Sequence, residues 1–314
     1  MTAFSLVLLA TGCTEVVTPD EPAVTCDTTI PQTWPLDGDT RFYNRDTVEF
    51  TLSKPDPSAT VIAPYYGEQS VSEDGLVVSF AAADPLEPDT AYTVELDYCR
   101  GTAGIDFTTS ELGRDLEGEL DLEGRVYAGD FSGVRYAQGD GVGQIISTFL
   151  GETVLLQVIQ ATEAVFQLRV ALAIEDGGEL VQDPCGTTAD LPEADFSAVP
   201  YFSHEGQDVV LTAYDTEMHM SGFQASGTVS ADNSYLGGIA LEVTLDTREA
   251  AVALGLSAED ICVLAENVGL ACEPCADGLP YCGTLQMDEL YADLVDTQVE
   301  AITEQPAECD DKTG

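Results

Sequence analysis

Apolar residues in the first third of this chain recur at every second position, and that period decides what the chain can fold into. Thr47-Val-Glu-Phe-Thr-Leu52 and Tyr92-Thr-Val-Glu-Leu-Asp-Tyr98 alternate, and Leu76-Val-Val-Ser-Phe80 is mostly apolar. A residue pair repeating every two positions faces one side of a strand, so these runs are half-buried strands. Pro, Gly and Asp punctuate them, and no helical period interrupts residues 28–110. Short strands at this spacing predict a β-sandwich.

After Ser110-Glu-Leu-Gly113 the pattern coarsens into a second unit, residues 111–300. Leu120–Tyr127 reads as a strand pair or one bent strand, and Gly143–Leu150 as a short helix after a glycine-rich loop. Thr153–Ile159 and Ala164–Leu172 are apolar on both faces, which suits burial between layers or a curved sheet around a lipid-like ligand. Val209–Tyr214, Thr216–Gly222, Gly227–Val229 and Gly238–Leu245 add strands. Helices come late: Asp246 and Thr247 cap Arg248–Gly255, and Ser257-Ala-Glu-Asp260 is a capping box opening a helix to about Asn267. The expected class is mainly β: a sandwich, then a larger antiparallel β domain with a few C-terminal helices, a Cys-rich tail, and an acidic tail at 301–314.

Charge narrows the partners. Ten Lys and Arg face 57 Asp and Glu, a net charge of −47. Nucleic acid is excluded as a partner, because binding it requires clustered cations that displace counterions. A solvated acidic surface suited to saline surroundings accounts for most of the carboxylates. Calcium is the alternative, through Asp37-Gly-Asp39, Gly139-Asp-Gly141 or Asp310-Asp311, although none carries the spaced ladder of an EF-hand loop.

Phe4-Ser-Leu-Val-Leu-Leu-Ala10 followed by Thr11-Gly12-Cys13 resembles the lipobox of bacterial lipoproteins. The resemblance implies a signal peptide over residues 1–12, a lipid on Cys13 and a polar tether over 13–27. Attachment to a membrane would then be by lipid, and Thr14 in place of Asp favours the outer membrane. Eight further cysteines remain: Cys26, Cys99, Cys185, Cys262, Cys272, Cys275, Cys282 and Cys309. In an oxidising compartment an even eight predicts up to four disulfides.

Trp34-Pro-Leu-Asp-Gly38, Val48-Glu-Phe50, Asp84-Pro-Leu-Glu-Pro-Asp-Thr-Ala-Tyr-Thr-Val94 and Gly104-Ile-Asp-Phe-Thr-Thr109 together resemble the bacterial Ig-like domain of surface-layer and other envelope proteins. The resemblance implies a spacer or binding module with no chemistry of its own. Tyr92 is expected as the partly buried tyrosine of such a sandwich. Cys26 before the first strand and Cys99 at the end of a late one are expected to bridge. From Leu120 to the Cys-rich end, the layout resembles uncharacterised lipoproteins of predatory and social bacteria.

No catalytic constellation emerges. Cys272-Glu-Pro-Cys275 with Cys262 and Cys282 could supply four zinc ligands or a redox pair, but the compartment favours structural disulfides. Ser203 beside His204 has the wrong geometry for a nucleophile and its base, since neighbours in a strand point apart. His204 and His219 read as a satisfied or surface histidine, and Gly139–Gly143 lacks the Lys-Ser/Thr of a phosphate loop. The expectation is a lipid-anchored envelope protein acting as a structural or interaction module, with no catalysis, no metal and no cofactor, and with an envelope protein or polysaccharide as partner. The alternatives are a carrier of a lipid-like ligand in the second domain and calcium-dependent adhesion.

Overall fold

The computed structural model describes residues 26–131, 134–137, 153–213, 216–304 and 309. Over these residues the chain is mainly β, with two helices. Cys13, Gly139–Gly143, the segment Gly143–Leu150 and Asp310-Asp311 lie outside the described residues.

The first unit has eight strands: β1 (Gln32–Trp34), β2 (Asp39–Phe42), β3 (Val48–Thr51), β4 (Thr60–Ile62), β5 (Gly67–Val71), β6 (Val77–Ala82), β7 (Ala91–Tyr98) and β8 (Gly101–Thr109). They form two sheets, β1-β3-β6-β5 and β2-β8-β7-β4. All pairings are antiparallel except β2 with β8. The first edge of the chain thus serves both sheets in turn, the arrangement of an Ig-like sandwich. Alternation does the packing: Val48, Phe50, Val94 and Leu96 point inward and are buried, with Phe42 and Phe107 edge to face at 4.6 Å. Tyr92 packs against Phe107, and its hydroxyl accepts from the Glu87 amide at 3.1 Å. That contact ties the start of β7 to the proline-bracketed loop before it, as a tyrosine corner does.

The second unit is a closed barrel. Its strands are β9 (Val126–Asp130), β10 (Arg135–Tyr136), β11 (Thr153–Ala161), β12 (Val165–Asp176), β13 (Glu179–Gln182), β14 (Ala189–Asp190), β15 (Ala194–Ala198), β16 (Tyr201–Ala213), β17 (Thr216–Val229), β18 (Tyr235–Asp246) and β19 (Cys282–Val295). The order β19-β18-β17-β16-β15-β12-β11-β9 follows the chain, and β9 also pairs with β19, so the meander closes on itself with eight strands. An eight-stranded barrel has an interior that side chains can fill. Here Tyr127, Val154, Leu156, Phe166, Phe196 and Phe202 belong to one buried cluster inside it, with Phe166 stacked on Phe202 at 4.7 Å.

The apolar outer face of β11 and β12 has its own cover. Leu155 and Ala171 are buried with Val126 beneath Val299, outside the barrel. The segment after β19 is held there by Gln182, which bonds Glu300 through both backbone groups, and by Thr188, which bonds Ile302. Cys185–Cys309 fastens it covalently. Residues 296–304 are therefore a strap on the barrel wall.

Helix α1 (Thr247–Leu254) is capped by Asp246, whose carboxylate accepts from the Arg248 amide, and ends at Gly255 in the left-handed region. Helix α2 (Ala258–Asn267) opens on a capping box in which Ser257 and Asp260 satisfy each other's backbone amides. The two helices come late in the chain, as expected, and are inserted between β18 and β19. The expected Cys-rich end is present, and β19, a strand of fourteen residues, runs through it. Two strand expectations are corrected. Leu120–Tyr127 is neither a strand pair nor one bent strand: a turn at Leu122–Arg125 precedes β9. Thr216–Gly222 and Gly227–Val229 are one bulged strand, β17. Among the described residues, no helix is long and apolar enough to cross a membrane.

Candidate functional site

The densest polar chemistry among the described residues lies where the sandwich meets the barrel wall. Two bulges prepare that wall. Between β18 and β19 the register shifts at Gly237-Gly238 and again at Asp288-Glu289, with Gly238 at φ 56° and Glu289 at φ 61°. A bulge re-aims side chains, and the left-handed conformation at Gly238 is cheap only without a Cβ. The gap left by the two glycines is filled by Tyr43 of the sandwich and by Leu112 of the segment that follows β8. A Cβ on Gly238 would lie 2.5 Å from the Tyr43 ring, and one on Gly237 would lie 2.7 Å from Leu112.

Around this key the linkage is polar. The Tyr43 and Thr228 hydroxyls are 2.7 Å apart in a buried site. Tyr235 donates to the Glu111 carboxylate at 3.0 Å. The Arg45 guanidinium carbon stands 3.8 Å from the centroid of the Tyr201 ring, a cation–π contact between the units.

Arg135 is the hub. Its guanidinium is held as a fork by Asp288 at 2.7 and 2.8 Å and reaches across to Glu49 at 3.3 Å and Asp46 at 3.5 Å. It also lies 4.5 Å from the centroid of Trp34, the chain's single tryptophan, whose indole N–H donates to Asp46 at 2.5 Å. The bulge residue Glu289 follows Asp288 on β19, where it is largely withdrawn from solvent and feels the charges of Asp46 and Asp288. Three carboxylates thus share one guanidinium. Burial works against the charge of Arg135, but the hydrogen bond to Asp288 and the charges of Asp46, Asp288 and Glu49 outweigh it and raise its pKa. Burial raises Asp46 despite Arg135 and Trp34. Burial, reinforced by Asp46 and Asp288, pushes Glu289 up to about 8.

All eight described cysteines are bridged: Cys26–Cys99, Cys185–Cys309, Cys262–Cys272 and Cys275–Cys282. The last two consume the sulfurs considered for zinc or redox chemistry. Asp246 approaches the sulfurs of Cys275 and Cys282 within 4.8 Å, but those sulfurs are not thiolates, and the carboxylate holds Arg248 at 2.5 Å. Four disulfides place the folded chain in an oxidising compartment, outside the cytoplasm.

The remaining candidates are separated. His204 is buried inside the barrel with Nδ1 3.2 Å from the Phe223 carbonyl, and its neighbour Ser203 is on the opposite face. His219 is exposed and pairs with Glu249 at 2.7 Å. Asp37 accepts from the Asp106 amide and Asp39 from the Arg41 amide, so these carboxylates stabilise turns. Sequence reasoning missed the junction. Its members come from distant segments, and the Gly237-Gly238 pair inside a strand and the lone Trp34 were the signals available.

No family model matches the chain, and no curated protein matches it. Among solved structures it is similar to the N-terminal eight Ig domains of Down Syndrome Cell Adhesion Molecule, with 10% identity and a TM-score of 0.21 over 87% of this chain and 35% of that one. It is also similar to the S-layer protein rSbsC, with 10% identity and a TM-score of 0.18 over 86% of this chain and 54% of that one. The chain therefore spans 35% and 54% of the lengths of these two structures. At such scores neither likeness carries an argument about fold or activity, and the Ig-like assignment rests on strand order alone.

Proposed function

We propose that the protein is a lipid-anchored, non-catalytic module of the cell envelope that presents a sandwich and barrel as one stiff unit to an envelope protein or polysaccharide. The observation that carries this reading is the keyed junction: Tyr43 and Leu112 fill the groove at Gly237-Gly238 while Arg135 bonds carboxylates of both units. A joint of that kind resists bending, which suits a spacer or a scaffold. The four disulfides support an extracytoplasmic setting, and the charge of −47 supports a partner other than nucleic acid. Palmitate labelling of the full chain and of Cys13→Ala, followed by envelope fractionation, tests the anchor. Label that depends on Cys13 and co-fractionates with the outer membrane is the expected result; an unlabelled, freely soluble chain overturns it.

A second reading is favoured by one observation. The barrel is closed with eight strands, the number at which an interior can hold one small ligand. Native mass spectrometry of the oxidised chain separates the two: an adduct of lipid-like mass supports a carrier, and a bare chain supports the structural module.

A further inference from the structure

One row of the barrel wall sets a buried polar atom without a partner beside an accessible apolar stretch. The register places His204 on β16 opposite Ala225 on β17, Ala225 opposite Leu241 on β18, and Leu241 opposite Met287 on β19. Residues paired across strands share one face of the sheet, with Cβ atoms about 5 Å apart. That face is the lumen: Met287 belongs to the interior cluster, and Ala225 and Leu241 pack against it. His204 has the parity of Phe202, another member of the cluster, so its ring points the same way. Ala225 and Leu241 are only half-buried although they face inward, so the lumen beside His204 is open to small groups.

His204 itself is 6% exposed. Its Nδ1 is 3.2 Å from the Phe223 carbonyl, and its ring stands edge to face with Phe223 at 5.4 Å. A carbonyl only accepts, so Nδ1 carries the hydrogen, and Nε2 of the neutral ring is left as an acceptor. Nε2 is buried and has no hydrogen-bond partner among the described residues. A buried acceptor without a donor is costly, so this atom favours a ligand that brings one.

Charge restricts what carries that donor. Arg114, Arg169 and Arg248 are paired with carboxylates, Arg135 with three at the junction, and Arg125 with the Asp121 carbonyl. None of the second unit's described arginines is left to balance an anion in the lumen, and a net charge of −47 repels one. An ammonium group would be buried uncompensated among Phe202, Phe223 and Met287. A hydroxyl donates without charge.

We propose that the barrel binds a neutral lipid alcohol, whose hydroxyl donates to Nε2 of His204 and whose chain lies along Ala225 and Leu241. This rests on the carrier reading of the barrel and adds the ligand class and the residue that recognises it.

The test uses the full oxidised chain after delipidation, loaded with the neutral fluorophore 1-aminoanthracene and titrated with 1-dodecanol, its methyl ether or dodecanoate. The ether has the same chain without the O–H. One net hydrogen bond is worth about tenfold in affinity, so dodecanol should displace the probe at about tenfold lower concentration than the ether, with dodecanoate weakest. His204→Phe keeps a ring against Phe223 and removes Nε2; it should lose the tenfold preference and leave the ether unchanged. His204→Gln keeps an acceptor and should retain the preference. If His204→Phe does not fold by circular dichroism, Ala225→Leu fills the wall beside the ring and should weaken dodecanol about tenfold or more. Failure of the chain to take up the probe or any of the three ligands overturns the carrier reading, and the lipid alcohol with it. Equal displacement by dodecanol and its ether, a preference that survives in His204→Phe, dodecanoate binding as tightly as dodecanol, or unchanged dodecanol binding in Ala225→Leu overturns the assignment to His204 alone and leaves a carrier of another ligand.

Discussion

The hydroxyl groups of Tyr43 and Thr228, 185 residues apart in the chain, meet at 2.7 Å in a site closed to solvent. Tyr43 belongs to the sandwich and Thr228 to the barrel strand β17, so this bond is made only when the two units are seated together. Its geometry depends on Gly238, against which the Tyr43 ring lies flush. A buried hydroxyl pair is costly to break, because each oxygen then loses its partner without regaining water. The pair therefore couples the two cores rather than merely decorating their boundary.

Gly238→Ala is expected to unseat the sandwich. The new Cβ would lie 2.5 Å from the Tyr43 ring, and the backbone there, at φ 56°, suits glycine. Overpacking and left-handed strain together should cost about 2–4 kcal/mol. Gly178→Ala is the control, since it shares the positive φ but meets open space; it should lose only about 1 kcal/mol. Calorimetry checks this: one unfolding transition in the wild type should separate into two in Gly238→Ala and remain single in Gly178→Ala.

The sandwich strands could be read in advance because Val48, Phe50, Val94 and Leu96 alternate with polar neighbours and nothing competes with that period. The helices were legible for a different reason, since Asp246 and Ser257 announce where each begins. Barrel closure was not legible. It depends on β9 pairing with β19, where Tyr127 meets Leu294, and no local period encodes a contact across that span. The strand β19 was hidden because cysteines crowd its start and the Asp288-Glu289 bulge breaks its alternation. Asp46, Glu49 and Asp288 were invisible for a compositional reason: among 57 acidic residues nothing marks the three that converge on Arg135. The double-sided apolarity of Thr153–Ile159 was legible as a demand for cover on both faces, but nothing around Val299, an apolar residue between polar neighbours after β19, marked it as the covering piece.

Removing the bridge that fastens the strap should cost more than its surface position suggests. Cys185 and Cys309 are 124 residues apart, and closing a loop of that length stabilises by roughly 5 kcal/mol in the chain-entropy account. Cys185→Ser combined with Cys309→Ser is expected to free residues 296–304 and expose Leu155 and Ala171. Hydrogen exchange should show faster exchange at Thr188 and Ile302, with urea unfolding shifted to lower denaturant.

The cap of α1 should make the chain sensitive to acid. Hydrogen bonding to Arg248 is the main cause that holds Asp246 below the usual carboxylate range, outweighing its partial burial. A carboxylate of lowered pKa stabilises the folded state above about pH 4, and that stability is lost as pH falls through its folded value. Asp246→Asn keeps the cap oxygen but loses the charge, so its thermal midpoint should respond less to acid than the wild type between pH 5 and 2. Ser257→Ala removes the second cap and should cost about 1 kcal/mol at every pH in that range.

Tyr136 distinguishes a filled barrel from one that takes a ligand. Its side chain belongs to the interior cluster, yet the hydroxyl has no hydrogen-bond partner among the described residues, and burial raises its pKa, so it stays a neutral phenol. An unpaired buried hydroxyl costs about 1–3 kcal/mol, so Tyr136→Phe should leave stability unchanged or raise it by about 1 kcal/mol. If instead the variant is destabilised by a similar amount, the hydroxyl has a partner that the protein chain does not supply, and the carrier reading gains over the structural one. Denaturant unfolding of the two proteins, each purified from the same compartment and repeated after delipidation, reads the difference: a penalty present before delipidation and absent afterwards identifies that partner as a lipid-like ligand.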